Sequence, residues 1–168
     1  MDVIEFAMQM ELDGRDFYLR SSQHVKQPEL QEILKYLADE ENRHYNFFKR
    51  LHDGQMEAAI QKLDTSTSLK QTKNVFVKLS EEGKEKEFGD DARKVWLEAM
   101  NIEEKSVKLY TTEAAKETDA ERRELLNRIA AEEQNHVYLI DNVLAFMTDP
   151  GEFIESQKFA KFKSWEGK

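Results

Sequence analysis

Two stretches of this sequence, LADEENRHYNFF at residues 37–48 and IAAEEQNHVYLI at residues 129–140, decide its fold. Each is a helical pattern of apolar and aromatic residues that a Glu and a His interrupt on one face, at the spacing Glu-x-x-His. A gapless shift of 92 residues superposes the two stretches. The same shift superposes AMQMELDGRDFY at residues 7–18 on AMNIEEKSVKLY at residues 99–110, so the chain repeats a pair of helices.

The hydrophobic period predicts an all-α fold of two homologous helical hairpins. The four long helices are expected at about residues 2–24, 28–53, 90–116 and 119–148. Pro28 suits a first helical turn, Gly54 a C-terminal stop and Asp119 an N-cap.

The predicted connector, about residues 55–89, is too long for a tight turn and long enough to cross the length of a helical bundle. Its apolar anchors for a short helix are Val75, Phe76, Val77 and Leu79. We therefore expect one four-helix bundle over residues 1–148. Residues 149–168 should form an amphipathic C-terminal helix or tail that packs on the bundle or on a second subunit.

The composition excludes several classes of protein. None of the 168 residues is Cys, which rules out disulfides, thiolate chemistry, iron–sulfur clusters and Cys-ligated zinc. A net charge of −9 disfavours binding to nucleic acid or to an anionic membrane. No apolar run approaches the roughly 18 residues of a membrane span, and the N-terminal stretch does not resemble a signal peptide. The sequence therefore predicts a cytoplasmic protein.

Acidic residues and histidines interrupt the apolar faces of the four predicted long helices. Glu11 lies 13 residues before His24 and Glu41 lies 13 residues after Pro28, so the two Glu should be neighbours in an antiparallel hairpin. The second hairpin repeats this arrangement. Buried carboxylates cost several kcal/mol each unless they are paired, and two divalent cations would neutralise four of them. One Glu from each of two helices plus two Glu-x-x-His motifs is the di-metal pattern of ferritin-like bundles. The predicted metal ligands are Glu11, Glu41, His44, Glu103, Glu133 and His136.

These four stretches resemble the rubrerythrin branch of the ferritin-like superfamily over most of residues 2–147. The resemblance implies an up-down-down-up bundle with a long crossover and a non-haem di-iron centre held by the six ligands. It also implies that Glu41 and Glu133 bridge the metals, and that Tyr18 and Tyr110 are the tyrosines that support the ligands.

Three features depart from the relatives. The chain lacks the cysteines of the rubredoxin iron that relays electrons in rubrerythrins. Ser106 replaces a further Glu three residues after the ligand of the third long helix. Asn42 stands where bacterioferritins place their haem-binding Met, so no haem is expected.

The leading hypothesis is a di-iron or di-manganese oxidoreductase, a peroxidase or oxidase of rubrerythrin type that acts in oxidative stress. It would reduce hydrogen peroxide or O₂ with electrons from an external donor protein, and zinc would be only an adventitious occupant. Tyr18 and Tyr110 would orient carboxylates or supply a proton. The alternative is an iron-binding or ferroxidase protein that sequesters iron without substrate turnover, and a third reading is a structural bundle without metal. A homodimer is expected.

Overall fold

The computed structural model describes residues 2–65, 68–83 and 86–167. Within these ranges the chain forms eight α-helices, which confirms the all-α prediction. The chain divides into two compact units, Met1–Leu69 and Lys70–Lys168. The predicted connector includes residues 66, 67, 84 and 85, which lie outside the described ranges. Among the described residues, no helix combines the length and the apolar character needed to cross a membrane.

The first long helix, α1 (Val3–Ser22), begins with a reciprocal cap. The Asp2 carboxylate accepts a hydrogen bond from the Glu5 backbone N–H at 2.8 Å, and the Glu5 carboxylate accepts one from the Asp2 backbone N–H at 3.1 Å. The helix ends two residues before the predicted end, near residue 24. There the Ser22 hydroxyl donates to the Leu19 carbonyl at 2.8 Å, a side-chain bond that competes with continuation of the helix.

The second helix, α2 (Pro28–His52), starts at the predicted proline, whose missing N–H is not needed in the first turn. Gly54 follows its end with φ +73°, a left-handed conformation that glycine adopts without strain. α1 and α2 pack together as an antiparallel hairpin. A shorter helix, α3 (Met56–Asp64), packs against α2 and was not predicted from the sequence.

The remaining helices are α4 (Leu69–Glu82), α5 (Asp90–Lys116), α6 (Ala120–Thr148), α7 (Pro150–Glu155) and α8 (Gln157–Ser164). α4 contains the apolar residues that predicted a short helix in the connector. α5 and α6 form the second hairpin, in which Arg93 near the start of α5 donates to the Thr148 hydroxyl at the end of α6 at 2.6 Å. The Asp119 side chain caps α6 by accepting from the Arg122 backbone N–H at 2.9 Å.

An aromatic cluster holds α4, α7 and α8 on α6 within the second unit. The ring of Phe76 on α4 lies 5.8 Å from Phe146 on α6 and 5.3 Å from Phe162 on α8, measured between centroids. Further members are Phe88, Tyr138, Phe153, Phe159 and Trp165. Lys73 adds hydrogen bonds from its ammonium group to the Trp165 and Lys163 carbonyls at 2.5 and 2.8 Å. The C-terminal residues therefore pack on α4 and α6 of their own unit.

Candidate metal centre

The first hairpin brings Glu11, Glu41 and His44 into its interior. Glu11 lies on α1, and the other two residues lie one helical turn apart on α2. All three side chains are buried, with at most 1% of each residue exposed. The Nδ1 atom of His44 lies 3.7 Å from a carboxylate oxygen of Glu11, so the ring nitrogen faces the acidic residue of the opposite helix.

The second hairpin repeats this arrangement with Glu103 on α5 and with Glu133 and His136 on α6. The Nδ1 atom of His136 lies 3.0 Å from a Glu133 oxygen and 3.4 Å from a Glu103 oxygen. These three residues are also buried, with at most 1% of each exposed. Each hairpin therefore forms a triad of two carboxylates and one imidazole, and in both triads Nδ1 faces the Glu of the neighbouring helix.

The donor atoms of the triads have separations that suit metal coordination. Two ligand atoms that each lie about 2.1 Å from one ion are about 3.0 Å apart at a right angle and about 3.4 Å apart at the tetrahedral angle. The separations in the second triad match these values, and the one in the first triad is slightly wider. Carboxylate and imidazole donors without sulfur suit iron and manganese. The residues of each triad thus fit the predicted metals.

Gly14 on α1 creates the space that the Glu41 side chain occupies. A Cβ atom at this position would lie 2.6 Å from Glu41 Oε2 and 3.3 Å from the carboxyl carbon. Real Cβ contacts are longer, so any other residue would displace the carboxylate. The corresponding residue of the second hairpin, Ser106, is also small and buried, and its hydroxyl donates to the Ile102 carbonyl at 3.2 Å.

Electrostatics in the second triad favour a neutral acid at Glu103. Burial and the nearby Glu133 carboxylate together raise the pKa of Glu103 to about 8, although His136 opposes the shift. A protein without metal would therefore keep a proton on this carboxyl at neutral pH. A cation must displace that proton to bind.

The predicted tyrosines lie in the interior of their own hairpins. Tyr18 and Tyr110 are almost completely inaccessible to solvent. Each lies on the same helix as a triad Glu and seven residues after it, a distance of about 10 Å along the helix axis. A role in supporting the ligands stays a prediction.

Sequence reasoning missed Arg43, which lies beside the first triad. Glu40 lies four residues before His44, and it is not a solvated flank of α2 because it is only 3% exposed. Its carboxylate pairs with the buried Arg43 guanidinium at 2.6 Å. The signal was present in the sequence as Glu40-x-x-Arg43, which overlaps Glu41-x-x-His44 by the same helical spacing.

The hairpins and their Glu–His triads define a helical carboxylate–histidine protein of the ferritin-like class. The family model described as Rubrerythrin matches residues 2–144, and the chain therefore belongs to the rubrerythrin family. Comparisons with curated proteins and with solved structures give no significant match.

Proposed function

We propose that the two triads hold two iron ions, and that the protein reduces hydrogen peroxide or O₂ with electrons from an external donor. The observation that carries the proposal is the repeated geometry, in which each hairpin buries two carboxylates and points a histidine Nδ1 at the Glu of its neighbouring helix. Membership of the rubrerythrin family supports iron as the metal. Manganese is the alternative metal.

The chain's own residues account for binding and for proton supply. The iron pair, when bound, would supply two electrons to the oxidant, one from each ion. Reduction of hydrogen peroxide to two molecules of water consumes two electrons and two protons. We assign delivery of a proton and orientation of the carboxylates to the buried hydroxyls of Tyr18 and Tyr110.

We assign the supply of electrons to an external donor, because these 168 residues include no Cys that could form a rubredoxin iron site. An external electron-donor protein, a homodimeric assembly and a cytoplasmic location are parts of this proposal.

Anaerobic titration with Fe(II) tests the proposal. We expect two iron ions per chain, loss of Fe(II) on addition of hydrogen peroxide or O₂, and a ferric absorption that a reductant reverses. Glu41→Gln keeps the size of a proposed ligand but removes its charge, so it should lose metal. Glu32→Gln changes an exposed Glu on the same helix and should behave as the wild type. Wild-type protein that binds neither iron nor manganese would end the metal proposal.

Iron sequestration or ferroxidation without turnover is the second candidate, and Ser106 favours it. This buried hydroxyl stands where peroxidase-type relatives place an additional carboxylate. The two candidates differ in stoichiometry and assembly. A dimer with two metals per chain and repeated peroxide turnover supports the oxidoreductase, whereas a large hollow oligomer that stores many irons per chain supports sequestration.

A further inference from the structure

Three side chains of metal-binding type meet at the surface of the first unit, and none of them belongs to a triad. Asp2 and Glu5 stand at the start of α1, and His52 is the last residue of α2. One ligand atom from each residue lies within 4.8 Å of the other two. Because α1 and α2 form an antiparallel hairpin, this surface cluster of Asp2, Glu5 and His52 joins the start of one helix to the end of the other.

The reciprocal cap of α1 leaves both carboxylates of the surface cluster able to bind a cation. Each cap hydrogen bond uses one oxygen, Oδ1 of Asp2 and Oε2 of Glu5, and a carboxylate has about four acceptor positions on its two oxygens. The hydrogen bond from the Glu5 N–H lowers the pKa of Asp2, and the nearby His52 contributes to the same shift. The positive end of the α1 dipole and the negative end of the α2 dipole offset each other here, so the carboxylates dominate the local charge.

The next residue of the chain orients the ring of His52. The Nδ1 atom of His52 lies 3.4 Å from Asp53 Oδ1, and Lys49 donates to the other oxygen of this carboxylate at 3.1 Å. The hydrogen bonds from Lys49 and His52 lower the pKa of Asp53, so its carboxylate is ionised and can only accept. Nδ1 is therefore the donor, and Nε2 of the neutral ring carries the lone pair. Metal-binding histidines commonly have a carboxylate on their second ring nitrogen in this way.

The Nε2 atom of His52 faces Glu5 at a distance that suits a shared ion. It lies 3.9 Å from Glu5 Oε1. Two ligand atoms that each lie about 2.1 Å from one ion are about 3.4 Å apart at the tetrahedral angle and about 4.2 Å apart on opposite sides of it. The two side chains are 41% and 49% exposed, so rotation can bring them and Asp2 to their final positions. A neutral ring and two carboxylates thus present lone pairs to one another, an arrangement that a cation stabilises.

The second hairpin provides an internal comparison. Under the 92-residue shift the positions of Asp2, Glu5 and His52 are occupied by Lys94, Leu97 and Leu144. These residues offer neither a carboxylate nor an imidazole, so a helical hairpin of this chain forms without metal-binding side chains at this end. The surface cluster is therefore a feature of the first hairpin and not a requirement of the repeated fold.

We propose that Asp2, Glu5 and His52 form a surface site for a divalent transition-metal ion of the zinc type. His52 Nε2, Glu5 Oε1 and an oxygen of Asp2 are the ligands, and water completes the coordination, as in open zinc sites. The imidazole selects such an ion over magnesium and calcium, which prefer oxygen ligands alone. Asp53 is a positioning residue that holds the ring. This site goes beyond the proposed function and does not depend on the metal content of the triads.

Titration of the full-length ¹⁵N-labelled chain with Zn(II), followed by nuclear magnetic resonance, tests the proposal residue by residue. Signals from the start of α1 and the end of α2 report the surface cluster, whereas His44 and His136 report the triads separately. The first variant is His52→Gln. The second, Asp2→Asn/Glu5→Gln, removes both charges and keeps both cap hydrogen bonds, because the amide oxygens still accept.

Each variant has a matched control. His24→Gln changes another exposed histidine, which follows α1. Asp90→Asn/Asp91→Asn removes two exposed carboxylates from the first turn of α5. We expect saturable Zn(II) shifts at His52 and Glu5 in the wild type and in both controls, with Nε2 as the coordinated nitrogen. Loss of a carboxylate behind a ligand commonly weakens binding about tenfold to a hundredfold, so loss of the ligands themselves should weaken Zn(II) binding here by at least about tenfold.

Three results would overturn the proposal. If Zn(II) leaves the His52 and Glu5 signals of the wild type unchanged, the cluster is only an ion pair of a protonated ring. If Asp2→Asn/Glu5→Gln binds as the wild type does, the zinc is held by a lone surface histidine. If Mg(II) produces the same shifts and His52→Gln has no effect, the cluster is an ordinary acidic surface. Failure of the proposed function has a different signature, because it removes the metal response of His44 and His136 and leaves that of His52.

Discussion

Replacement of Glu103 by Gln should change the stability of the metal-free and metal-loaded proteins in opposite directions. The Glu103 side chain is fully buried, with His136 Nδ1 3.4 Å from one of its oxygens. Burial and the charge of Glu133 raise its pKa from 4.5 to about 8. Gln has the size of a neutral Glu but no charge to lose, so Glu103→Gln isolates the effect of this one titration.

The sign of the effect follows from proton binding. The folded protein holds a proton on Glu103 at a pH where the unfolded chain has released it, so the folded state binds more protons. The associated stability is complete below about pH 4.5 and is lost as the pH rises toward about 8. At roughly 1.4 kcal/mol per pH unit, the loss at pH 7 is about 3 kcal/mol for the wild type without metal. Gln does not suffer this loss, so the metal-free variant should melt about 6–12 °C above the wild type at pH 7.

Metal should reverse the order. A bound cation takes the Glu103 carboxylate as a ligand and releases its proton, whereas the Gln amide is a poor ligand. Chelator should therefore lower the melting temperature of the wild type, and Mn(II) should raise it far more than it raises that of the variant. Calorimetry in two buffers of different ionisation enthalpy should show about one fewer proton released by the variant at pH 7.

Thermal unfolding from pH 5 to pH 8, with chelator and with Mn(II), measures all of these effects. The control is Glu104→Gln, which changes the adjacent, exposed residue of α5 and should follow the wild type throughout. If metal-free Glu103→Gln keeps the wild-type loss of stability between pH 5 and pH 8, burial of this carboxyl is not the source of that loss and the reasoning is refuted.

Two further predictions concern Gly14 and the cap of α6. Gly14→Ala should fold normally, because the new Cβ would lie 2.6 Å from Glu41 Oε2, which is at the flexible end of that side chain. The displaced carboxylate should lower the Mn(II) affinity by about tenfold or more. Gly151→Ala, whose Cβ would have only an ordinary 3.7 Å contact, is the control, and equal affinities in the two variants would contradict the role of Gly14. Asp119→Ala should lower the free energy of unfolding by about 1 kcal/mol in denaturant titration, since it removes the bond to the Arg122 N–H, whereas Asp119→Asn keeps a capping oxygen. Equal losses in both variants would mean that the cap is not responsible.

Local signals in the sequence are sufficient to predict the four long helices. Pro28 begins α2, and Asp119 caps α6, as their side-chain chemistry requires. The Glu-x-x-His spacing likewise placed His44 and His136 one helical turn after their Glu, independent of tertiary structure.

Contacts between distant segments were not predictable in the same way. The burial of Glu40 depends on Arg43 and on the Leu63 carbonyl of α3, a helix whose nine residues carry too weak a periodic signal to be assigned. The sequence predicts an amphipathic tail that packs on the bundle or on a second subunit, but nothing local identifies Phe76 on α4 as the partner of its aromatic residues. The sequence also does not reveal which ring nitrogen of His44 and His136 faces the acidic residues. In the structure it is Nδ1 in both.

The intrinsic fluorescence of this protein can monitor two separate regions of the structure. The chain has two tryptophans. Trp96 on α5 is completely buried, whereas Trp165 is partly exposed after α8, with its ring 4.8 Å from that of Tyr138. Detachment of the C-terminal helices would shift the emission of Trp165 to longer wavelength and leave Trp96 unchanged. Variants at each tryptophan therefore allow a single optical experiment to time the opening of the tail separately from the melting of the second hairpin.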